Sequence, residues 1–456
     1  MKKLLLILLC LPFIGFGQTY VPDDNFEQAL INLGYDTVLD DYVLTASINT
    51  VTNLNVNFQN ISDLTGIADF TALTYLDCYY NQLTSLDVSN NTALTDLDCS
   101  GNQLTYLDVS SNTALTYLTC YFNHLISLNV SYNTALTDLD CSGSLLTSLN
   151  VSGATALTYL NCKDNQLTSL DVSNNTALTD LDCSGNLLTS LNVSGATALT
   201  DLQCYQNQLT SLNVSQNTAL TDLRCWLNQL TSLDVTGATA LTDLNCMDNQ
   251  LSSLDVSSNT ALTNLRCHNN QLTSLDVSGA TALIYFDCHS NLLTSLDVNN
   301  LALTTLICES NQLTSLDVTG ATALNQLQCD NNLLQCLDVS QNTALTTLHC
   351  GNNLLEQLNT KNGNWLNLQI GALSNNLTCV EVDNFGYSTN NWIGGFDSFV
   401  SFSTNCNYTN PCTTVSSIQE HTTSKELLKV TDLLGRETKQ TNQPLFYIFD
   451  DGTVEK

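Results

Sequence analysis

Residues 94–114 read LTDLDCSGNQLTYLDVSSNTA, and the chain repeats this phrase with small changes from Cys78 to Cys350. Cysteine marks every unit: Cys78, Cys99, Cys120 and Cys141 open a series of fourteen, spaced by 21 residues throughout except for 20 between Cys288 and Cys308. The shortfall falls in VNNLAL, where other units have VSGATAL or VSQNTAL. So strict a period predicts stacked turns. A single turn has no way to bury its own apolar side, so neighbours must supply the core and both ends need caps. Alternation within DLDCS places Leu97 and Cys99 on one face and Asp96, Asp98 and Ser100 on the other. Stacking then predicts a parallel sheet of short strands, with Leu104, Leu107, Val109 and Leu115 lining the back. Asn102 heads an asparagine column broken only at Ser144. An inward amide there can bond the backbone of two neighbouring loops, whereas burying it unpaired would cost about 1–3 kcal/mol.

Leu94, Leu97 and Cys99 fit the pattern L-x-x-L-x-L, with cysteine in the third apolar slot. Over about 51–358 the chain resembles the bacterial leucine-rich-repeat family in its short-period, internalin-like form. The resemblance implies a horseshoe solenoid whose parallel sheet lines the concave side, about 14 units of 21 residues plus caps. Cysteine replaces the usual aliphatic, which leaves such a fold intact because a free thiol packs as a small hydrophobe.

The ends read differently. MKKLLLILLCLPFIGFGQTY has two lysines, an apolar run too short to span a bilayer, and small residues before Gln18. It reads as a signal peptide over 1–17, and bulky Leu9 before Cys10 speaks against a lipoprotein. Residues 18–70 read as an N-terminal cap helix plus a first irregular repeat. The helix starts at Pro22-Asp23-Asp24, with Phe26, Ala29, Leu30 and Leu33 on one face. Repeats fill 71–358. Residues 359–412 carry Trp365, Trp392, Phe396, Phe399 and Phe402 and read as a C-terminal cap. Cys379 and Cys406 are its favoured disulfide, with Cys412 competing for either. In 413–456, ELLKVTDLLGRETK and PLFYIFDDGTVEK resemble the C-terminal sorting domain of type IX secretion substrates. Leu428, Lys429, Val430, Asp432, Leu434, Gly435, Arg436, Tyr447, Ile448, Gly452 and Thr453 carry the match, which implies engagement of the type IX secretion machinery.

Charge narrows the partners. The 456 residues hold 11 Lys+Arg against 43 Asp+Glu, and Lys2 and Lys3 lie in the leader. So acidic a surface repels phosphate backbones and anionic headgroups, which excludes nucleic acid and the membrane surface and leaves cationic or neutral partners. No segment after the leader is long and apolar enough to insert in a membrane. The expected location is secreted or cell-surface.

Catalytic signals are weak. Ser and Asp recur because the repeat needs them, no phosphate-cradling glycine loop is present, and neither an enzyme nor a cofactor is expected. Parallel Cβ directions argue that the ladder cysteines stay free thiols. The residue after each cysteine varies most and faces outward. Its column holds Tyr79, Tyr121, Lys163, Tyr205, Trp226, Met247, His268 and His289, with Phe122 beside Tyr121. A flanking column alternates Tyr75/Asp96, Tyr117/Asp138 and Tyr159/Asp180 in 42-residue pairs. Together they predict an aromatic and acidic groove roughly 65 Å long at about 4.8 Å per rung. Exposed Tyr and Trp suit anchors for a bound protein or glycan, so a non-catalytic binding or adhesion module is the expected function. Drift after pairwise duplication is the competing explanation of the variable column. The alternatives are a structural spacer and a Ca²⁺-dependent surface protein using Asp87, Asp108 and Asp171. No metal site is assigned, and the lesser metal reading joins His268, His289, Glu309 and Asp330, with Arg266 nearby weighing against it.

Overall fold

The computed structural model describes residues 17–298, 302–408 and 412, with the backbone of three short strands at Leu427–Thr431, Phe446–Phe449 and Val454–Glu455. The leader at 1–17 thus lies outside the described residues except for Gly17. The 413–456 tail lies outside them except for those strands, which pair antiparallel.

Helix α1 (Asp24–Asn32) opens the solenoid, because Asp23 caps it: one carboxylate oxygen accepts from Asn25 N and Phe26 N, both at 3.0 Å. The other oxygen accepts from Ser62 N and Oγ at 2.8 and 2.7 Å, tying the helix to the first turn. Phe26, Ala29 and Leu30 are buried, but Leu33 is 45% exposed because it forms the C-cap and turns away from the core. Buried Glu27 replaces it as the unexpected inward residue, its carboxylate accepting from the backbone of Asp40, Asp41 and Tyr42.

Three-residue strands then stack into a parallel sheet of 16, from Asn53–Asn55 to Gln369–Gly371. The register is unbroken: Leu76 faces Leu97, Leu97 faces Leu118, and Leu118 faces Leu139. Leucine therefore stacks on leucine, and the following cysteine stacks on cysteine. All fourteen ladder cysteines are buried and free. Burial pushes their thiols up, Cys246 to about 12, so they are protonated and inert.

Each turn carries a second extended segment of type S-L-D. Ser127–Asn129 pairs in parallel with Ser148–Asn150, and Cys336–Asp338 with Gln357–Asn359. This second ladder buries Leu128 and Leu170 and turns Asp171 and Asn192 to solvent.

Asparagine clips the turns together. Asn102 Nδ2 donates to the carbonyls of Cys78 and Cys99 at 3.0 Å, and its Oδ1 accepts from Leu83 N at 3.0 Å. Ser144, at the gap in the column, accepts from Asn123 N at 3.4 Å. A second buried asparagine column lies in the S-x-N-T turns, where Asn112 Nδ2 donates to Val88 O and Asn91 O at 2.9 Å. It alternates with Ala154, Ala196 and Ala238.

The C-terminal end is closed by helix α2 (Phe385–Asn391) and the strand Ser401–Ser403, over buried Trp392, Phe396 and Phe402, while Phe399 is exposed. Cys379 is bonded to Cys406. Cys412 competes for neither of them. It bonds to Cys336, which occupies the serine position of an S-L-D segment and stands outside the buried ladder.

Candidate functional site

Three columns face outward from the long sheet. The middle one, with Asp77, Asp98 and Asp140, closes the strand. Each Oδ1 accepts the backbone N–H two residues on, at Tyr79, Ser100 and Ser142, over 2.9–3.1 Å. The chain then turns through a residue with positive φ, such as Tyr80 (51°), Gly101 (63°) or Phe122 (49°). This closure fixes the residue after the cysteine at the rim of the sheet.

Rings gather there at two stations. At the first, Phe58, Tyr79 and Tyr80 lie within 5.2 Å of one another between ring centres, and Tyr79 reaches Tyr121 at 5.9 Å across Ser100. Phe122 packs edge-on against Tyr121 at 5.4 Å but stands in the turn, 62% exposed, rather than in the strand column. A Cβ at Gly101 would meet the Tyr80 ring, and one at Gly143 the Phe122 ring, so each exposed ring lies over a glycine of the next turn. Burial, then the hydrogen bond to Tyr79, raises the Tyr121 phenol. At the second station Tyr205 and Trp226 stack at 4.4 Å with their planes 6° apart. Such pairs prefer an offset, and each contributes about 0.5–1.5 kcal/mol beyond burial. Lys163 lies between the stations and Met247 follows Trp226, both half-buried.

The flanking column keeps the carboxylates close. Asp222 is raised by burial against the pull of Arg224, whose Nη2 donates to it at 2.9 Å. Tyr117 is raised by burial and by Asp98 and Asp138.

His268 and His289 stack at 4.2 Å with planes 15° apart. The acid that meets them is neither Glu309 nor Asp330. It is Asp287 of the middle column, 3.2 Å from His268 Nδ1 and 2.6 Å from His289 Nδ1. Asp330 instead accepts from Gly351 N at 2.8 Å. Asp287 stands two residues before His289, so the strand alternation already puts both on one face, and that spacing was the available signal. Phe58 and Tyr80 lacked such a signal, being turn residues outside the strand pattern. On the opposite ladder, Asp87, Asp108 and Asp171 accept from Ser89, Ser110 and Ser173 N at 2.9–3.0 Å, and the serine hydroxyls, then these backbone bonds, hold the carboxylates low.

A parallel solenoid built on L-x-x-L-x-C turns with an asparagine clip defines a leucine-rich-repeat protein. No family model matches the sequence. The solved functional domain of InlJ from Listeria monocytogenes, which includes a cysteine ladder, is 38% identical, with a TM-score of 0.65, covering 80% of this chain and 82% of that one. The Leptospira interrogans leucine-rich-repeat protein LIC12759 is 24% identical with a TM-score of 0.61, covering 79% of this chain and 97% of that one. The curated Internalin J of L. monocytogenes serotype 4b is 40% identical over 80 residues, 16% of this chain and 9% of that protein's length. The chain belongs to the internalin-like leucine-rich-repeat family. Its cysteine column, a departure from the aliphatic repeat, is a feature it has in common with the InlJ domain.

Proposed function

We propose that this chain is an exported, non-catalytic binding or adhesion module that holds an extracellular protein or polysaccharide on the outward face of its long sheet. The parallel-stacked Tyr205–Trp226 pair carries the reading. Two large rings held face to face on consecutive rigid strands lose little conformational freedom when something docks on them. Rings of this kind also dominate binding energy where they occur at interfaces. The surrounding carboxylates select cationic or neutral ligands over anionic ones. Export is supported by the leader at 1–17 and by the sorting-domain-like tail, through which the type IX machinery would carry the chain to the cell surface.

The binding reading is tested on arrays of glycans and extracellular proteins, probed with residues 18–412. Hits should vanish for the Tyr121→Ala, Tyr205→Ala, Trp226→Ala triple variant with its fold unchanged by circular dichroism. Ligands that bind the parent and the variant equally would defeat the reading. Export is tested separately by comparing the full chain with one ending at 412, which should remain in the cell.

A further inference from the structure

We propose that His268 and His289 chelate one late first-row divalent cation of the Cu²⁺, Ni²⁺ or Zn²⁺ kind, with Asp287 orienting both rings. The inference is independent of the binding reading, although the ion would share the same face. The two imidazoles sit at equivalent rim positions, two residues past the ends of adjacent parallel strands, so the backbone register places them in a stack at 4.2 Å. Donor atoms of His268, Asp287 and His289 all fall within 4.8 Å of one another, so a modest rotation of the rings brings two nitrogens inside the span of at most about 4.2 Å that one ion allows.

Asp287 supplies what a chelating pair needs behind it. Its side chain is 7% exposed. Its Oδ1 lies 2.6 Å from His289 Nδ1, within a hydrogen bond, and its Oδ2 lies 3.2 Å from His268 Nδ1. A proton on each Nδ1 facing that carboxylate would leave Nε2 with its lone pair for a metal, the carboxylate–histidine–metal arrangement. Arg266 does not compete for Asp287. Its Nη1 donates to the Asp243 carboxylate at 3.2 and 3.4 Å, and the guanidinium lies 5.0 Å over the Tyr285 ring. Two imidazole nitrogens suit Cu²⁺, Ni²⁺ and Zn²⁺, whereas Ca²⁺ and Mg²⁺ want an oxygen cage. The outer coordination positions face solvent, where water or a donor group of a docked partner completes the shell.

The test uses the untagged, chelator-treated full chain titrated with Ni²⁺, Cu²⁺ and Zn²⁺ by calorimetry. One ion per chain is expected, with nitrogen couplings from two imidazoles in the Cu²⁺ paramagnetic resonance spectrum. His268→Ala with His289→Ala should abolish both signals, Asp287→Asn should weaken binding about 10–100-fold, and His349→Ala should change nothing. Circular dichroism confirms that each variant is folded. Undiminished binding by the double variant, or no binding by the parent, overturns the site. Full affinity in Asp287→Asn overturns the orienting role.

Discussion

Except at Ser144, an asparagine in the turn after each ladder cysteine gives up at least three backbone partners when it is removed. Asn165 donates to Cys141 O and Cys162 O and accepts from Leu146 N. Asn165→Ala should therefore lower stability by about 1–3 kcal/mol in a denaturant titration. Asn165→Ser should cost less, since Ser144 serves naturally one turn earlier. A loss below about 0.5 kcal/mol in the alanine variant would show that the clip is dispensable. The thiols make a pH prediction. Burial raises their pKa in the folded state, so their contribution to stability is complete below the unfolded thiol pKa of about 8.5. Above it the unfolded chain releases protons first, and stability falls by about 1.4 kcal/mol per thiol per pH unit, until the folded thiols themselves ionise, about 12 for Cys246. Alkaline unfolding should begin near pH 9 and follow that sign. Stability that rises through this range would contradict a buried thiol ladder. At this scale the sequence made the inward Leu97 and Cys99 legible, because period-2 alternation determines them. Cys336 was not legible as a partner, because it stands in a solvent-facing serine position and its mate, Cys412, is brought to it only by the fold of the C-terminal cap.

Between turns, glycine sets the fit. A Cβ at Gly153 or Gly195 would fall on the carbonyl of Ser131 or Ser173 in the turn before, so these turns nest with no room for a side chain. Each is followed by Ala154 or Ala196, where the neighbouring turns hold the buried Asn133, Asn175 and Asn217. From Asn133 to Ala280 this alternation of asparagine and glycine-alanine turns is a packing device: an asparagine turn reaches back to a glycine-alanine turn, as Asn175 does to Ala154 O at 2.8 Å. Gly195→Ala should destabilise by about 1–3 kcal/mol through overpacking, whereas Gly394→Ala, with nothing near its Cβ, should leave the melting temperature unchanged. Equal melting temperatures for both variants would refute the nesting. The main sheet was readable because its strands alternate over five residues. The S-L-D ladder was not, because three extended residues between turns carry too short a pattern to register as strand.

Across the whole molecule, the stack converts a repeated sequence into two long faces with different duties. On both faces acids cap their own turns, but only the long sheet sets aromatic stations beside them. The class of fold was legible because a 21-residue period leaves few alternatives. The ligand was not, because the repeat dictates what is buried and leaves the outward column unconstrained. Single substitutions at the two stations should separate their contributions. Trp226→Ala should weaken a ligand spanning the centre by about 2 kcal/mol or more, roughly 30-fold in Kd, while Phe122→Ala should leave that ligand unaffected. No loss from Trp226→Ala would show that it is not an anchor, and an equal loss from Phe122→Ala would refute the separation of the stations. The decisive measurement is a hydrogen-exchange footprint of a bound partner on residues 18–412. Protection confined to the strands and rim turns that carry Tyr79, Tyr121, Tyr205 and Trp226 is the predicted result. Protection of the S-L-D ladder, with those strands unchanged, would contradict the account.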